Sequence, residues 1–458
     1  MKVIVLAAGR SKRMKPIEDK NFLNFVGQPL ISWQLNFLWK AGFKEIILVG
    51  GKHNLERLKA LDNDMPMQID VVEQENLDEG MRGAVLACEK LIGGEPILVF
   101  SSNDVVDGEA FEVMKNAITE NEKTGGNLTR GGKRDDKLDV VDGFMLAKKV
   151  DSYFPGGYLE LDTDGNVTRI VEKPKPGEEP SDLVNLVVHY FKDSKKLIKA
   201  LKEAESKKDD LYEVAVDAMI QSGAKIKAIG YNGFWQALKH PWHTHDIFKF
   251  LLKTALNGKD MKVADNARIA KNAIVDGAVV IDDGATLMDG AIVKGPAYIG
   301  RGTIVAMNSL VRDSNVGEKC VIGFSSEVAR SHLGDNVWTH SNYIGDSVIG
   351  SDISFGAGTV VGNLRLDEGI ISVRDGENKI STETNKFGII TGDHIRVGVN
   401  TSFMPGTKIG SGTYIGAGIV VAEDIPENSF VKGDWKLKIT ENKGTFSEEM
   451  RELMRKKL

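Results

Sequence analysis

Aliphatic residues return every sixth position through the second half of this chain, and no other feature constrains the fold as much. Val263, Ile269, Val275, Ile281, Leu287, Val293, Ile299, Val305 and Val311 keep the period. After a slip of one residue it continues at Val316, Ile322, Val328 and Leu333. It returns at Ile344, Ile349, Phe355 and Val361, then at Val397, Phe403, Ile409, Ile415 and Val421. A six-residue period sustained this long is the signature of a parallel β-helix, in which three hexads make one triangular coil and the aliphatic residue points inward. A sandwich of short strands would show irregular spacing. Residues 263–433 also hold 25 of the chain's 49 glycines, which marks a domain boundary near 240–262. A polar stretch at 364–386 interrupts the repeat, as an insertion that builds a binding face would. The tail from Phe446 to Leu458 reads as a short charged helix, with Thr445 and Glu448 at capping-box spacing.

The first half has a different grammar. Val3–Ala8, Ile46–Gly50, Ile69–Val72 and Ile97–Ser101 read as buried strands, and Pro29–Gly42, Gly83–Leu91 and Ala110–Glu122 as helices between them. That alternation predicts a mostly parallel sheet covered on both faces, with its ligand beyond the carboxyl ends of the strands. The loops after Ala8 and Ser101 are then the expected site. With 59 Lys plus Arg against 65 Asp plus Glu, the net charge of -6 gives no reason to expect a nucleic-acid partner. Only Cys88 and Cys320 are present, which fits a reducing compartment and excludes a disulfide scaffold. No apolar run is long enough for a membrane span, so the cytoplasm is the expected location.

The loop after the first strand reads Leu6-Ala7-Ala8-Gly9-Arg10-Ser11-Lys12-Arg13-Met14, with Lys20 seven residues after Arg13 and Gly27-Gln28-Pro29-Leu30-Ile31 beyond. Gly9 is expected to make the tight turn, with Arg13 and Lys20 supplying charge for phosphate. The stretch resembles the sugar-1-phosphate nucleotidylyltransferases, whose signature is L-A-A-G-x-G-x-R-M, then P-K, then G-K-P-L-I. Ser11 and Asp19 stand where that family has Gly and Pro. The resemblance implies that Arg13 and Lys20 stabilise a nucleoside triphosphate in catalysis, with Leu6, Ala8, Gly9 and Gly80 at the nucleotide. Asn103-Asp104 matches G-D, which implies that Asp104 binds nucleotide and Mg²⁺. Gly157, Glu172 and Asn185 fall where the family contacts the sugar phosphate. The family's closing W-x-D-x-G-x-P-W supplies a second metal-binding Asp; here Ala237 takes that place, and Lys239 follows. His240, His243 and His245 cluster nearby, which suits a structural role better than zinc, since no further ligand is evident.

His340 breaks the hexad rhythm, and a neutral imidazole is suited to take a proton from an attacking amine. Around it, His340, Tyr343, Gly345-Asp346, Ile349-Gly350, Gly356–Thr359, Asn363, Asn385-Lys386-Phe387 and Gly392-Asp393 follow one another in order. Residues 322–426 thereby resemble the acetyltransferase half of the bifunctional glucosamine-1-phosphate acetyltransferase / N-acetylglucosamine-1-phosphate uridylyltransferase family and its archaeal members. The resemblance implies His340 as general base, Tyr343, Asn363 and Lys386 at the sugar phosphate, and Ala357 and Ala417 along an acetyl-CoA groove. A family Lys before the His has no counterpart; Ala329 stands there, beside Arg330.

Together these readings predict an α/β nucleotide-diphospho-sugar transferase (Rossmann-like) domain at 1–239 and a linker helix at 240–262. A left-handed parallel β-helix of hexapeptide repeats at 263–433 and a charged tail at 434–458 follow. The expected partners are a nucleoside triphosphate (UTP or dTTP), a sugar 1-phosphate and acetyl-CoA, with Mg²⁺ as cofactor, no membrane, and a homotrimer formed through the β-helix. The implied role is UDP-N-acetylglucosamine biosynthesis, a cell-envelope precursor. Two alternatives stay open: a nucleotidylyltransferase with the β-helix only as trimerising scaffold, and a non-catalytic sensor of sugar nucleotides, to which Ala237 lends support.

Overall fold

Strand Lys2–Leu6 lies at the centre of the N-terminal sheet, parallel to Glu45–Gly50 on one side and to Ile97–Ser101 on the other. Gln68–Glu73 extends the parallel set beyond Glu45–Gly50. The computed structural model describes residues 1–61, 65–126, 140–208, 210–434, 436, 438–444 and 447–457. Alternate residues of the central strand feed different cores, as the two-residue period of a strand dictates. Val3 and Val5 join one apolar cluster with Leu35, Phe111 and Leu251. Ile4 and Leu6 join another with Val85, Leu197 and Ala215. Both faces are thus covered by helices, which explains the unbroken apolar run in the sequence.

The expectation of a mostly parallel sheet is only half met. Leu183–Phe191 runs antiparallel to Ile97–Ser101 and to Gly143–Lys149, and Gly157–Leu161 pairs antiparallel with Val167–Glu172. The latter two strands are joined by a short turn with no crossover helix, and such connections give antiparallel pairs.

The second half is a left-handed parallel β-helix. Three ladders of short parallel strands stack coil upon coil; one runs from Arg268–Ile269 through Ile304–Val305 and Ile353–Phe355 to Phe430–Val431. The hexad residues from Ile281 onward fill its interior, including Val293, Val305, Ile322, Ile349, Phe403 and Ile415. Val263 and Ile269, expected inside, are 39% and 40% exposed. They belong to the first coil, which has no coil below it to close the interior.

The two halves pack directly on one another. Helix Thr244–Leu256 connects them, and Tyr298, Val348, Phe387 and Ile390 of the β-helix share an apolar cluster with the sheet domain. Asn315 clamps the turn after Leu23: its Oδ1 accepts from Val26 N–H at 3.0 Å and its Nδ2 donates to Asn24 O at 3.2 Å. The 364–386 insertion forms a hairpin, Ser372–Asp375 with Asn378–Ser381, and Ile371 and Val373 bury against the sheet domain's core. The insertion therefore serves packing as well as surface. The tail helix runs Glu448–Arg455, capped by Ser447, whose hydroxyl accepts from Met450 N–H. Thr445, the expected cap, lies outside the described residues, as do Phe446 and Leu458. Cys88 and Cys320 are free and buried, and burial pushes both thiols up to about 12. Among the described residues no helix is long and apolar enough to cross a membrane.

Candidate active sites

The loop that follows strand Lys2–Leu6 leads into the 3-10 turns Lys12–Met14 and Lys20–Phe22. The turn expected at Gly9 is made at Ser11, which holds φ 50° and ψ 29°; Gly9 has open space around it and no positive φ. Ser11 stands where the family carries glycine, and its Oγ accepts from Lys20 N–H at 3.2 Å. Asp19 anchors the turn by accepting from Asn21 N–H (2.9 Å) and from Asn54 Nδ2 (2.7 Å). Lys20 is thereby held almost wholly buried, 8% exposed, with its ammonium donating to Leu238 O at 2.8 Å. Burial first, then the Arg13 guanidinium, pulls Lys20 down to about 8, against the attraction of Asp104 and Asp19.

Asp104 opens the short strand Asp104–Val106, which pairs antiparallel with Trp235–Ala237. The register sets Ala237 directly opposite Asp104. A methyl group thus occupies the position from which an aspartate would face Asp104. Trp235 Nε1–H donates to Asp104 Oδ1 at 3.0 Å, and Val187 contributes a backbone amide. Burial raises the carboxyl's pKa, while Trp235, Lys239 and Lys20 pull it back. Lys239 fills the gap electrostatically. Burial lowers its ammonium to about 8, Asp104 and Glu172 attract it, and it donates to Pro155 O at 2.6 Å while lying 3.9 Å from the centre of the Phe154 ring.

The predicted sugar residues converge. Glu172 pairs with Gly157 across neighbouring strands. A Cβ at Gly157 would stand 3.0 Å from Glu172 Oε2 and 3.6 Å from Asn185 Cβ. Glycine is needed here for close approach rather than for a turn. His189, which the sequence did not single out, fixes Asn185: its Nε2 lies 2.8 Å from Asn185 Oδ1 and its Nδ1 3.0 Å from Tyr212 OH. Burial lowers His189 to about 3, so the ring is neutral. With Tyr212 donating to Nδ1, Nε2–H donates to Asn185 Oδ1 and leaves the Asn185 amide donors for a ligand. Gly80 begins helix Gly80–Ala87, and its carbonyl accepts from Gln74 Nε2 at 2.9 Å.

The three clustered histidines do not gather on a metal. His240 stacks on Trp242 at 4.4 Å, His243 Nδ1 lies 2.8 Å from Ala237 O, and His245 Nε2 lies 3.4 Å from Asp313. Among the described residues no group of three or more His, Cys, Asp or Glu side chains could hold a metal ion. Asp104, held by Trp235 at Oδ1 and by the Val187 amide, is a single carboxylate ligand. That fits only a cation that takes the rest of its shell from phosphates and water, as Mg²⁺ does.

On the β-helix, His340 is exposed and stands at a corner of the coil. Backbone hydrogen bonds stack the corners of successive coils: Gly358 N to Ser341 O, Asn400 N to Ala357 O, and Gly418 N to Val399 O. His340, Ala357, Val399 and Ala417 therefore climb one edge, with Val399 the member the sequence missed. Asn363 Nδ2 donates to Tyr343 OH at 3.0 Å and to Asp346 Oδ2. Arg330, in the corner before, grips Asp346 with both arms at 2.6 and 2.7 Å. Its guanidinium also reaches Tyr343, so this cation stands within the acceptor cluster with its charge paired to Asp346. Lys386 is exposed beside this cluster, its backbone N–H donating to Thr384 Oγ1.

Residues 2–238 match the nucleotidyl transferase family, whose chemistry the cations around one carboxylate at the sheet's rim suit. Over 445 residues the chain is 30% identical to the bifunctional sugar-1-phosphate nucleotidylyltransferase/acetyltransferase of Sulfurisphaera tokodaii, covering 94% of this chain and 100% of that one. It is 31% identical over 444 residues to the bifunctional protein GlmU of Methanocaldococcus jannaschii, covering 94% and 97%. The chain belongs to this family of bifunctional nucleotidylyltransferase/acetyltransferases. Among solved structures, apo UDP-glucose pyrophosphorylase aligns with 56% of the chain at 18% identity and a TM-score of 0.45.

Proposed function

We propose that residues 1–239 join a sugar 1-phosphate to a nucleoside triphosphate, UTP or dTTP, and release pyrophosphate. The observation that carries this is the charge cluster at the sheet's rim. Lys20 and Lys239 both act on Asp104, and Lys239 also acts on Glu172 of the sugar set, so nucleotide and sugar ends meet at one ammonium. A sugar-phosphate oxygen attacks the α-phosphorus, the bond to the β-phosphate oxygen breaks, and pyrophosphate leaves. Arg13, Lys20 and Lys239 neutralise the oxygens around the reacting phosphorus, which is most of what this chemistry asks of a protein. Asp104 is the residue that would hold Mg²⁺, which when bound supplies further charge neutralisation on the phosphates. Glu172 and the Asn185 amide, oriented by His189, hold the sugar hydroxyls.

The β-helix at 263–433 is proposed to acetylate glucosamine 1-phosphate. The amine nitrogen attacks the thioester carbonyl of acetyl-CoA, His340 takes the N–H proton, and the CoA thiolate leaves. The ridge of Ala357, Val399 and Ala417 lines the CoA, and Tyr343, Asn363 and Lys386 hold the acceptor. An exposed His340 on an exposed ridge supports a homotrimer in which a second copy walls the groove. Acetylation followed by uridylylation makes UDP-N-acetylglucosamine, a cell-envelope precursor, and the cytoplasm is the proposed location.

Pyrophosphate release with a panel of sugar 1-phosphates tests the first activity. Thiol release from acetyl-CoA with glucosamine 1-phosphate tests the second, and its absence in the wild type would leave the β-helix as scaffold only. The pairing of Arg330 with Asp346, which leaves the acceptor with fewer free cations, favours that second reading.

A further inference from the structure

Both lysines assigned to the reacting phosphorus depend on one small turn. Residues 237–239 close on themselves, with Lys239 N–H donating to Ala237 O at 2.9 Å. A three-residue turn of this kind has that single internal bond. Its middle carbonyl, Leu238 O, receives the Lys20 ammonium at 2.8 Å, and its last residue carries the Lys239 ammonium to Pro155 O. The Leu238 side chain is wholly buried, and Leu238 N–H donates to Asn103 O, beside Asp104, at 2.9 Å. Any rotation of the turn therefore moves Lys20 and Lys239 together relative to Asp104.

One side chain from outside the turn fixes its direction. His243 ends the 3-10 turn Pro241–His243 and immediately precedes helix Thr244–Leu256. A polar residue in that place ordinarily turns its side chain onto the helix's own free N–H groups. His243 makes no such cap. Its Nδ1 lies 2.8 Å from Ala237 O instead, with the Lys239 amide nitrogen at 3.2 Å. A carbonyl oxygen only accepts, so Nδ1 carries the proton and donates it. Burial holds the ring's pKa below its ordinary 6.5, so the imidazole is neutral at pH 7. The His240 and Trp242 rings meet it edge to face at 5.6 and 6.0 Å and keep it from turning. Ala237 O also accepts from Lys239 N–H and, at 3.3 Å, from Gln236 Nε2. Loss of the imidazole thus leaves that carbonyl partnered, and what it costs is direction rather than a bare buried acceptor.

We propose that His243 is a positioning residue for nucleotidyl transfer: by holding Ala237 O it aims the 237–239 turn, so that Leu238 O and the Lys239 side chain set both ammonium groups around Asp104. This role rests on the reading that residues 1–239 carry out that transfer. Through His243 the cleft is tied to the first residue of the helix that joins the two halves of the molecule.

The test compares His243→Leu with His243→Asn in the full chain, since an asparagine amide places an N–H donor close to where Nδ1 stands. Misplaced charge costs mainly turnover. His243→Leu is therefore expected to lower kcat for pyrophosphate release about 30-fold with KM for UTP within about threefold, and His243→Asn to recover most of the loss. Both variants are expected to melt within about 3 °C of the wild type. A second readout needs no activity: reductive methylation of lysines followed by peptide mass spectrometry. Lys20 is expected to label about fivefold faster in His243→Leu than in the wild type or His243→Asn, because its ammonium leaves Leu238 O more often. Lys149, paired with Asp182, is the control and is expected to label equally in all three. Normal kcat in His243→Leu overturns the proposal. So does His243→Asn as slow as His243→Leu, or Lys20 labelling that neither variant changes. A wild type that releases no pyrophosphate rejects the nucleotidyl transfer, and the labelling of Lys20 then decides for or against His243 by itself.

Discussion

In the sheet domain's cleft, Lys20 is buried and its ammonium rests on a backbone carbonyl; at the β-helix corner, His340 faces solvent and its ring makes no hydrogen bond among the described residues. Lys239 and Asn185 are likewise fixed, by Pro155 O and His189. The cleft is assembled from a single chain and preorganised before any ligand arrives. The β-helix edge presents an exposed imidazole and a ridge but only one wall. Preorganised charge in a partly dry site is worth far more than the same charge in water. The nucleotidyl site should therefore work in an isolated chain, whereas the acetyl site should depend on assembly.

Substitutions that separate the two sites break or sharpen this contrast. The largest effect is expected from Lys20→Ala, which removes a preorganised cation and should cut pyrophosphate release by about 1,000-fold while leaving thiol release intact. His340→Ala should do the reverse, lowering thiol release about 100-fold, the lower range for a lost general base, with pyrophosphate release unchanged. Lys239→Met should reduce kcat/KM for nucleotidyl transfer about tenfold, about 1.4 kcal/mol. Adding Ala237→Asp to it should restore part of the loss only with Mg²⁺ present, because a carboxylate would then face Asp104.

A pH effect on stability comes next. His189 and His332 are buried and neutral, lowered to about 3 and about 4 from an ordinary 6.5. Below pH 6.5 the unfolded chain binds protons there that the folded chain does not. Stability should therefore fall as pH drops from 6.5 toward 4, by up to about 1.4 kcal/mol per pH unit for each histidine. Thermal melts across that range should show a shallower slope in His332→Phe. Smallest of all, Ser447→Ala removes the tail helix cap and should cost that helix about 1 kcal/mol, visible by amide exchange and in neither activity.

The solenoid was the most legible part, because each coil repeats a local spacing that inward packing demands; Ile281 through Val421 could be placed inside without knowing any contact. Its first coil misled, since Val263 and Ile269 keep the period but have nothing to cover them. The cleft was legible where a residue's own neighbours carry the signal, as at Lys20, Asp104 and Glu172. Its supports were not, because they depend on pairing between distant strands. The register that sets Ala237 against Asp104 turns Lys239 into part of the charge, and a nine-residue strand returns His189 beneath Asn185. Ser11 shows a different limit: the tight turn was expected at Gly9, yet the chain makes it in the left-handed conformation at a serine two residues on.

The most direct measurement is pyrophosphate release from UTP and N-acetylglucosamine 1-phosphate by the wild-type chain and by Lys20→Ala under identical conditions. Steady release from the wild type, and about one-thousandth of it from the variant, is the predicted result. Equal rates from both, or none from the wild type with any sugar 1-phosphate tried, would contradict a cleft whose buried Lys20 carries the chemistry.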